Sequence, residues 1–403
     1  MLPFAEGHNV RTKPPFGAYI AVQATIGSTV TMSKPMLSSV QCLRAIAAMA
    51  VVAYHCAATI QIQGWKPGIV SHASAWGWAG VDIFFFISGF VMVMTTAGRD
   101  RGVVAAREFM AARIARIAPM YWLLTSLMLA IVWVVPSLKT TEFTLAQAVT
   151  SYLFLPYEVR ESGSYYPILY VGWTLTYEMF FYAIFAVSIC FAEARSRLVL
   201  VAIFAGLSVL SLTRPSAYLF RFLTDPLLLE FVFGCLFAWA YRSGFRVSAR
   251  TAAVIIAAGV LGFCVGTPAS DMAHRVVCAG IPAALLVSGV ILREAAGGWK
   301  GSDLLQQVGD ASYSLYLLQA FTIPAFARVL TGADKHRLLP GDLICLSLVF
   351  ASVLVAAFVY RTVERPVDIR LRAWIRDYRQ GRAADHAALA KQAARVTQHD
   401  RGM

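Results

Sequence analysis

The chain has 403 residues, of which 58% are hydrophobic and only 14% are charged, and its mean hydropathy is +0.63. This composition excludes an ordinary soluble domain and is typical of a polytopic membrane protein. The formal net charge of +13 does not indicate a nucleic-acid partner, because the cations concentrate in short segments that flank apolar runs, as the positive-inside rule requires.

Ten apolar runs have about the length that is needed to cross the hydrocarbon core of a bilayer. They predict an all-α, polytopic integral membrane helix bundle with about ten transmembrane helices. The predicted spans are 38–60, 80–97, 118–136, 170–191, 197–213, 225–242, 251–267, 274–292, 311–331 and 341–361. A further apolar stretch, residues 144–157, is too short to span comfortably and is interpreted as an interfacial or re-entrant segment.

The charge distribution predicts the topology and the domain limits. Placing both termini in the cytoplasm puts most Lys and Arg residues on the inner side. We therefore expect a cytoplasmic N-terminal tail at 1–37, a transmembrane domain at 38–367 and a basic cytoplasmic C-terminal tail at 368–403, which is either solvated or in contact with anionic headgroups. The start of the chain lacks the pattern of a signal peptide. The seven cysteines fall in or at the ends of apolar runs and show no disulfide or metal-ligand spacing, so we expect buried, unpaired thiols and no metal site.

The first predicted span carries two ionisable residues on one face. Arg44 and His55 are eleven positions apart, which leaves their side chains only ~20° apart around a helix and ~16 Å apart along its axis. Ionisable groups inside a membrane are costly and mark candidate functional sites. The alternative is a core histidine whose hydrogen bonds are satisfied locally.

Two carboxylates are expected near the depth of His55. Asp82 begins the second predicted span, and Glu178 lies in the fourth, about two turns or ~12 Å below the external surface. Either carboxylate could orient the imidazole and stabilise its protonated form, as a general base requires. For Asp82 the competing interpretation is a helix N-terminal cap that faces water.

A basic cluster is predicted at the cytoplasmic side. Arg113 and Arg116 are three residues apart and share a face just before Pro119. Guanidinium groups there suit the oxygens of phosphates, although anchoring by the positive-inside rule explains the same residues. Ser88, in the sequence SGF, lacks the surroundings of a G-x-S-x-G elbow and is not interpreted as a nucleophile.

Several ordered motifs over residues 38–367 resemble the acyltransferase family 3 membrane proteins, and in particular the members that O-acetylate bacterial exopolysaccharides. The motifs are Arg44 and His55 separated by ten residues, GVDIFFFISGFVM, RIARIAPMYW, GWTLTYEMFFY, GDASYSLYLLQ and VERP. One departure is Gln319, where many relatives of this family carry a histidine.

The resemblance implies transfer of an acyl group, commonly acetyl from acetyl-CoA, to a carbohydrate hydroxyl across the bacterial inner membrane. It implies that Arg44 and His55 are essential, that Arg113 and Arg116 form the Arg-x-x-Arg motif of the family, and that Glu178 is its glutamate in the fourth span. The expected partners are acyl-CoA as donor substrate, a glycan or lipid-linked oligosaccharide as acceptor, and membrane lipids, with no nucleic acid and no permanently bound cofactor.

The resulting hypothesis assigns donor binding and catalysis to opposite sides of the membrane. Arg113, Arg116 and Arg44 hold the CoA phosphates, while His55, oriented by Glu178 or Asp82, acts as general base or as a transient acyl carrier. A proton-coupled transporter or glycan flippase would also place ionisable groups inside a bundle. A non-catalytic scaffold would leave these groups unexplained.

Overall fold

The computed structural model describes residues 37–135, 143–158, 166–213, 215–266, 272–299 and 301–377. Within these ranges the chain is helical, with short turns between helices and no β-strand. The predicted all-α class is therefore confirmed. The tails predicted at 1–37 and 368–403 lie almost wholly outside the described residues, apart from Leu37 and the helical residues up to Asp377.

The described ranges contain fifteen α-helices, α1 to α15 in chain order. The first eight are α1 Ser38–Ile62, α2 Ile69–Ala73, α3 Gly80–Thr96, α4 Val103–Val134, α5 Leu145–Tyr152, α6 Trp173–Ile189, α7 Glu193–Ser211 and α8 Tyr218–Leu223. The others are α9 Leu229–Arg242, α10 Ala249–Val265, α11 Met272–Arg275, α12 Ile281–Ala295, α13 Asp303–Asp310, α14 Ser312–Ala333 and α15 Gly341–Val359. Two π-helical segments, Val276–Gly280 and Tyr360–Glu364, continue α11 into α12 and extend α15.

All ten predicted spans coincide with helices. In the described part of the chain, eight helical segments are long and apolar enough to cross a membrane. The other two predicted spans, α6 and α10, are helices of 17 residues each. The stretch at 144–157 contains only α5, an eight-residue helix, which agrees with the expectation that it is too short to span.

Close backbone approach fixes α3 against α9. A Cβ added to Gly89 would lie 2.0 Å from the carbonyl oxygen of Phe231, and one added to Gly234 would lie 2.0 Å from that of Phe86. Small residues at such crossings let helices pack by van der Waals contact where lipid supplies no hydrophobic driving force. The pair of glycines therefore determines where the side chains of α3, including Ser88, stand in the bundle.

The helix α1 packs against α3, α12, α13, α14 and α15. Its buried face consists of small and aliphatic residues, among them Ala47, Ala48, Val52 and Ile60. Gly80 at the start of α3 faces this helix so closely that a Cβ would lie 2.4 Å from the carbonyl oxygen of Ala47. This packing places Arg44 of α1 inside the bundle, where it meets side chains from four other helices.

The cysteines are free within the described residues, as the spacing predicted. Five of them are buried, whereas Cys190 and Cys264 are exposed on the surface of the bundle. The expectation that all seven are buried is therefore wrong at these two positions, because a helix of a membrane protein also directs small apolar side chains outward.

Candidate active site

A cavity of about 160 Å³ lies between α1, α3, α4, α6 and α14. Its wall combines an apolar lining with three arginines, one glutamate and several hydroxyl groups. The polar side chains that line it are Arg44, Ser88, Arg113, Arg116, Thr174, Glu178, Tyr182, Ser312, Tyr313 and Tyr316. We call it the arginine cavity. It brings together residues that lie up to 272 positions apart in the chain, from Arg44 to Tyr316.

The three arginines predicted as an anion site meet in this cavity, but they differ in their partners. Arg116 forms an ion pair with Glu364, which also accepts a hydrogen bond from Ser314. Its guanidinium carbon lies 5.5 Å from the centre of the Tyr313 ring. Arg116 is thus partly neutralised and held in place by the protein itself.

Arg113 and Arg44 are freer to receive a ligand. Arg113 stands over the ring of Phe109 at 5.7 Å, and its buried Nε has no hydrogen-bond partner within the described chain. Arg44 reaches only Gln41, at 3.5 Å, and has no carboxylate within 4.0 Å among the described residues. Two guanidinium groups that lack an ion pair make the cavity suitable for an anion, which they could bind through charge-assisted hydrogen bonds.

Glu178 faces these arginines from α6 and is held by two hydroxyl groups. Ser88 donates a hydrogen bond of 2.8 Å to its Oε1, and Tyr182 donates a second one to the same oxygen. The Ser88 and Tyr182 hydroxyls are themselves 3.0 Å apart. Tyr182 follows Glu178 by one helical turn, whereas Ser88 comes from α3. The carboxylate is therefore fixed at the cavity wall without an ion-pair partner among the described residues.

His55 lies outside the lining of the arginine cavity. Its ring makes edge contacts with Tyr54 at 5.3 Å and with Tyr170 at 5.7 Å. Glu178 comes eight residues after Tyr170, which is about 12 Å along a helix axis. Among the described side chains, neither Glu178 nor Asp82 makes a hydrogen bond to the imidazole. The structure therefore separates His55 from the two carboxylates that were expected to orient it.

Asp82 is bound by Arg275, which precedes the first π-helical segment. The guanidinium donates through Nε to Oδ1 at 3.1 Å and through Nη2 to Oδ2 at 2.8 Å. Arg275 is also stacked near the rings of Trp78, at 4.8 Å, and Trp173, at 5.7 Å. Asp82 is fully buried, so the alternative of a water-facing cap is wrong.

Two further carboxylates surround this ion pair. Glu230 is 1% exposed and lies beside it, next to Gly280, where a Cβ would come within 2.6 Å of its Oε1. Asp225 accepts hydrogen bonds from the hydroxyl of Tyr177 at 2.7 Å and from the amide of Leu227 at 2.9 Å. We call Asp82, Arg275, Glu230, Asp225 and Tyr177 the Asp82 network. It ties α3, α6, α9 and α11 together.

The sequence contains weak signals for those residues of the site that were not predicted from it. Glu364 stands in the VERP motif, and Tyr182 shares a polar helical face with Glu178. The pairing of Asp82 with Arg275 joins positions 193 apart, and no local sequence pattern predicts it.

Gln319, the departure from the family pattern, is fully buried. Its side chain donates a hydrogen bond to the carbonyl of Tyr316 at 2.9 Å, and its Oε1 has no partner in the described chain.

Comparison with known proteins gives two matches. A family model described as an acyltransferase domain matches residues 37–361. The exopolysaccharide production protein ExoZ of Rhizobium meliloti (strain 1021) is 34% identical over 306 residues, which are 74% of this chain and 91% of that protein. No solved structure matches.

Proposed function

The chain belongs to the acyltransferase domain family, and from that premise we propose that it transfers an acyl group from acyl-CoA to a hydroxyl of a glycan. Acetyl is the proposed acyl group. The acceptor is proposed from the relative of 34% identity, whose name refers to exopolysaccharide production. The observation that supports the donor is the arginine cavity, which Glu178 lines together with two guanidinium groups that form no ion pair with any described residue.

Only part of the donor can occupy this cavity. Pockets that enclose a drug-sized ligand hold roughly 300–1,000 Å³, whereas the arginine cavity holds about 160 Å³. Arg113 and Arg44 have free hydrogen-bond donors for the phosphates of acyl-CoA. Arg116 adds positive charge that Glu364 only partly cancels. The acyl end then extends beside Glu178.

His55 is the proposed general base for the glycan hydroxyl. Its imidazole is half-buried and lies beside Tyr170, about two helical turns from Glu178 along α6. This separation agrees with a donor that approaches from one side of the membrane and an acceptor that approaches from the other. We propose that the protein lies in the bacterial inner membrane with both termini in the cytoplasm, which supplies the donor.

Thiol release from acetyl-CoA tests the proposal. Purified protein in lipid nanodiscs is mixed with acetyl-CoA, with and without a bacterial exopolysaccharide fragment, and the free CoA thiol is measured. We expect acceptor-dependent CoA release, together with acetyl esters on the recovered glycan by mass spectrometry. Absence of CoA release, with transport of the glycan when the same protein is placed in sealed vesicles, would overturn the enzyme and favour the flippase.

A histidine variant sharpens this experiment. His55→Ala should lower the transfer rate by about 10²–10⁴-fold, the usual contribution of a general base. The matched control is His72→Ala, because the His72 ring is exposed and bonds only the carbonyl of Gly68 among the described residues, at 2.6 Å. Normal transfer by correctly inserted His55→Ala protein would remove His55 from the mechanism.

A further inference from the structure

Ser88 uses its hydroxyl differently from many other serines and threonines of the bundle. In several helices such a hydroxyl donates to the carbonyl one turn earlier, which is a local and structural use. Examples are Thr59, Thr96, Ser126, Ser208 and Thr224. Ser88 instead bonds Glu178 and Tyr182 of another helix, at the wall of the arginine cavity.

This arrangement pairs a nucleophile with a base. A serine hydroxyl is a weak nucleophile until a neighbouring group accepts its proton, and the diagnostic geometry is a hydrogen bond of about 2.6–3.2 Å between the two. The Ser88 to Glu178 distance of 2.8 Å falls in that range. Tyr182 fills one side of the carboxylate and fixes its orientation.

The position of Ser88 is rigid and faces the donor site. The next residue, Gly89, packs directly on the backbone of Phe231, so α3 cannot turn or slide without a clash. Arg113, whose buried Nε has no partner in the described chain, lines the same cavity.

We propose that Ser88 is an acyl-carrying nucleophile, which forms an ester with the acyl group of the donor before the glycan receives it. The proposal rests on the function proposed above and deepens it, since it divides the reaction into two half-reactions. Ser88 was not predicted as a nucleophile from the sequence, because its base comes from α6 rather than from the neighbourhood of an elbow motif.

The two half-reactions balance. In the first, Ser88 Oγ attacks the thioester carbon, its proton passes to Glu178, a C–O bond forms, the C–S bond breaks, and CoA is expelled as the thiolate. The thiolate then takes that proton from Glu178 and leaves as the thiol, which restores the carboxylate. In the second, the glycan oxygen attacks the ester carbon, the proton of the glycan hydroxyl passes to Glu178, the C–Oγ bond breaks, and Glu178 returns the proton to Ser88. On this two-step route Glu178 rather than His55 takes the proton of the glycan hydroxyl, because His55 lies outside the arginine cavity.

Isotope exchange isolates the first half-reaction. Protein in nanodiscs is incubated with acetyl-CoA and labelled free CoA, without any glycan, and label in acetyl-CoA is followed over time. An acyl-serine enzyme exchanges the label, because CoA can attack the ester in reverse. We expect exchange by the unaltered protein and a loss of at least about a thousandfold in Ser88→Ala, the order expected when a nucleophile is removed.

Three variants accompany Ser88→Ala. Ser352→Ala is the matched control, because Ser352 is also buried and bonds Thr322 of a neighbouring helix at 2.9 Å, away from the cavity. We expect it to exchange normally. Glu178→Gln keeps the shape but removes the base, and exchange should fall by about 10²–10⁴-fold. His55→Ala should still exchange CoA, because His55 lies outside the arginine cavity and takes no part in the first half-reaction.

The outcomes separate the two proposals. Exchange that Ser88→Ala retains, or acceptor-dependent CoA release with no exchange at all, would overturn the acyl-serine while leaving the acyltransferase intact. Absence of both exchange and acceptor-dependent release would overturn the acyltransferase itself. A second measurement uses acetyl-CoA that is labelled in the acetyl group. After the protein is quenched in acid and digested, the acetyl label should be recovered on the peptide that contains Ser88, and hydroxylamine should remove it.

Discussion

Two carboxylates in adjacent helices of this bundle, the fully buried Asp82 and the half-buried Glu178, have opposite surroundings. Asp82 is fully buried and accepts hydrogen bonds from Nε and Nη2 of Arg275, so its charge is matched by a neighbouring cation. Glu178 is held only by the hydroxyls of Ser88 and Tyr182, and the cavity beside it is open. A carboxylate that is already neutralised stabilises the fold, whereas one that faces an open site remains available for chemistry.

The electrostatics of the two regions follow the same division. The Asp82 network encloses its single cation with three carboxylates and two indole rings. The arginine cavity has three cations, and the only ion pair among them in the described chain is that of Arg116 with Glu364. In the Asp82 network the charges compensate one another. The arginine cavity instead has an excess of positive charge among its described residues, which suits an anionic substrate.

Of the two carboxylates, Glu178 should have the larger effect on activity, which Glu178→Gln tests. This substitution should lower acyl transfer by about 10²–10⁴-fold, because the amide cannot accept a proton, with only a small change in melting temperature. The measurement is acceptor-dependent CoA release alongside thermal unfolding. Glu193→Gln is the control, since Glu193 pairs with Arg197 and Arg242 far from the cavity. If Glu178→Gln leaves the rate of acyl transfer unchanged, the proposed difference between a catalytic Glu178 and a structural Asp82 is wrong.

Asp82→Asn should act chiefly on stability. Removing one partner of a buried ion pair costs about 3–5 kcal/mol, because the other charge stays buried without compensation. We expect a large fall in melting temperature, and a smaller loss of activity per folded molecule than for Glu178→Gln. The double variant Asp82→Asn with Arg275→Met should recover part of the loss, since it removes both charges. Equal melting temperatures of the unaltered protein, Asp82→Asn and the double variant would contradict a stabilising role of the Asp82 network.

The two neighbouring arginines should separate donor binding from stability. Arg113→Ala should raise the KM for acyl-CoA by about 10–100-fold, the order of one or two lost charge-assisted hydrogen bonds, with kcat changed less. Arg116→Ala should also lower the melting temperature, because Glu364 loses its ion-pair partner. The control is Arg372→Ala, which removes only an exposed pair with Asp368. Identical behaviour of Arg113 and Arg116 variants would show that their different partners are irrelevant.

The smallest expected effect lies in the loop after α14. Burial raises the pKa of Asp334, but hydrogen bonds from the Trp65 indole at 2.8 Å and from the amides of Leu338 and Leu339 outweigh it and hold the pKa below its ordinary value. A lowered folded pKa stabilises the protein above the ordinary pKa of aspartate, about 3.9, and this stability is lost as the pH falls through the folded value.

The pH dependence of melting measures this contribution. Asp334→Asn should remove the part of the acid-induced fall in melting temperature that comes from Asp334, while Trp65→Phe, which lacks the indole donor, should remove a smaller part of it. Both variants should leave acyl transfer at neutral pH nearly unchanged. An unaltered pH profile in Asp334→Asn protein would show that the carboxylate is not held in its charged form.

Much of the fold and part of the site could be predicted from local patterns. A run of about twenty apolar residues must be helical in a bilayer, because each backbone polar group needs a partner within the segment, and all ten predicted runs contain helices. The shared face of Arg113 and Arg116 follows from helical periodicity, and both do line the arginine cavity with Arg44. The catalytic roles of His55, Glu178 and Asp82 stay predictions.

The sequence by itself thus determined the helices, the faces on which polar residues lie and the family to which the chain belongs. Only the tertiary structure decided which polar groups meet: Asp82 with Arg275 rather than with His55, and Glu178 with Ser88. The physical reason is that spacing along a helix is set by local backbone hydrogen bonds. Contacts between helices depend instead on lateral packing, such as the close crossing at Gly89 and Gly234.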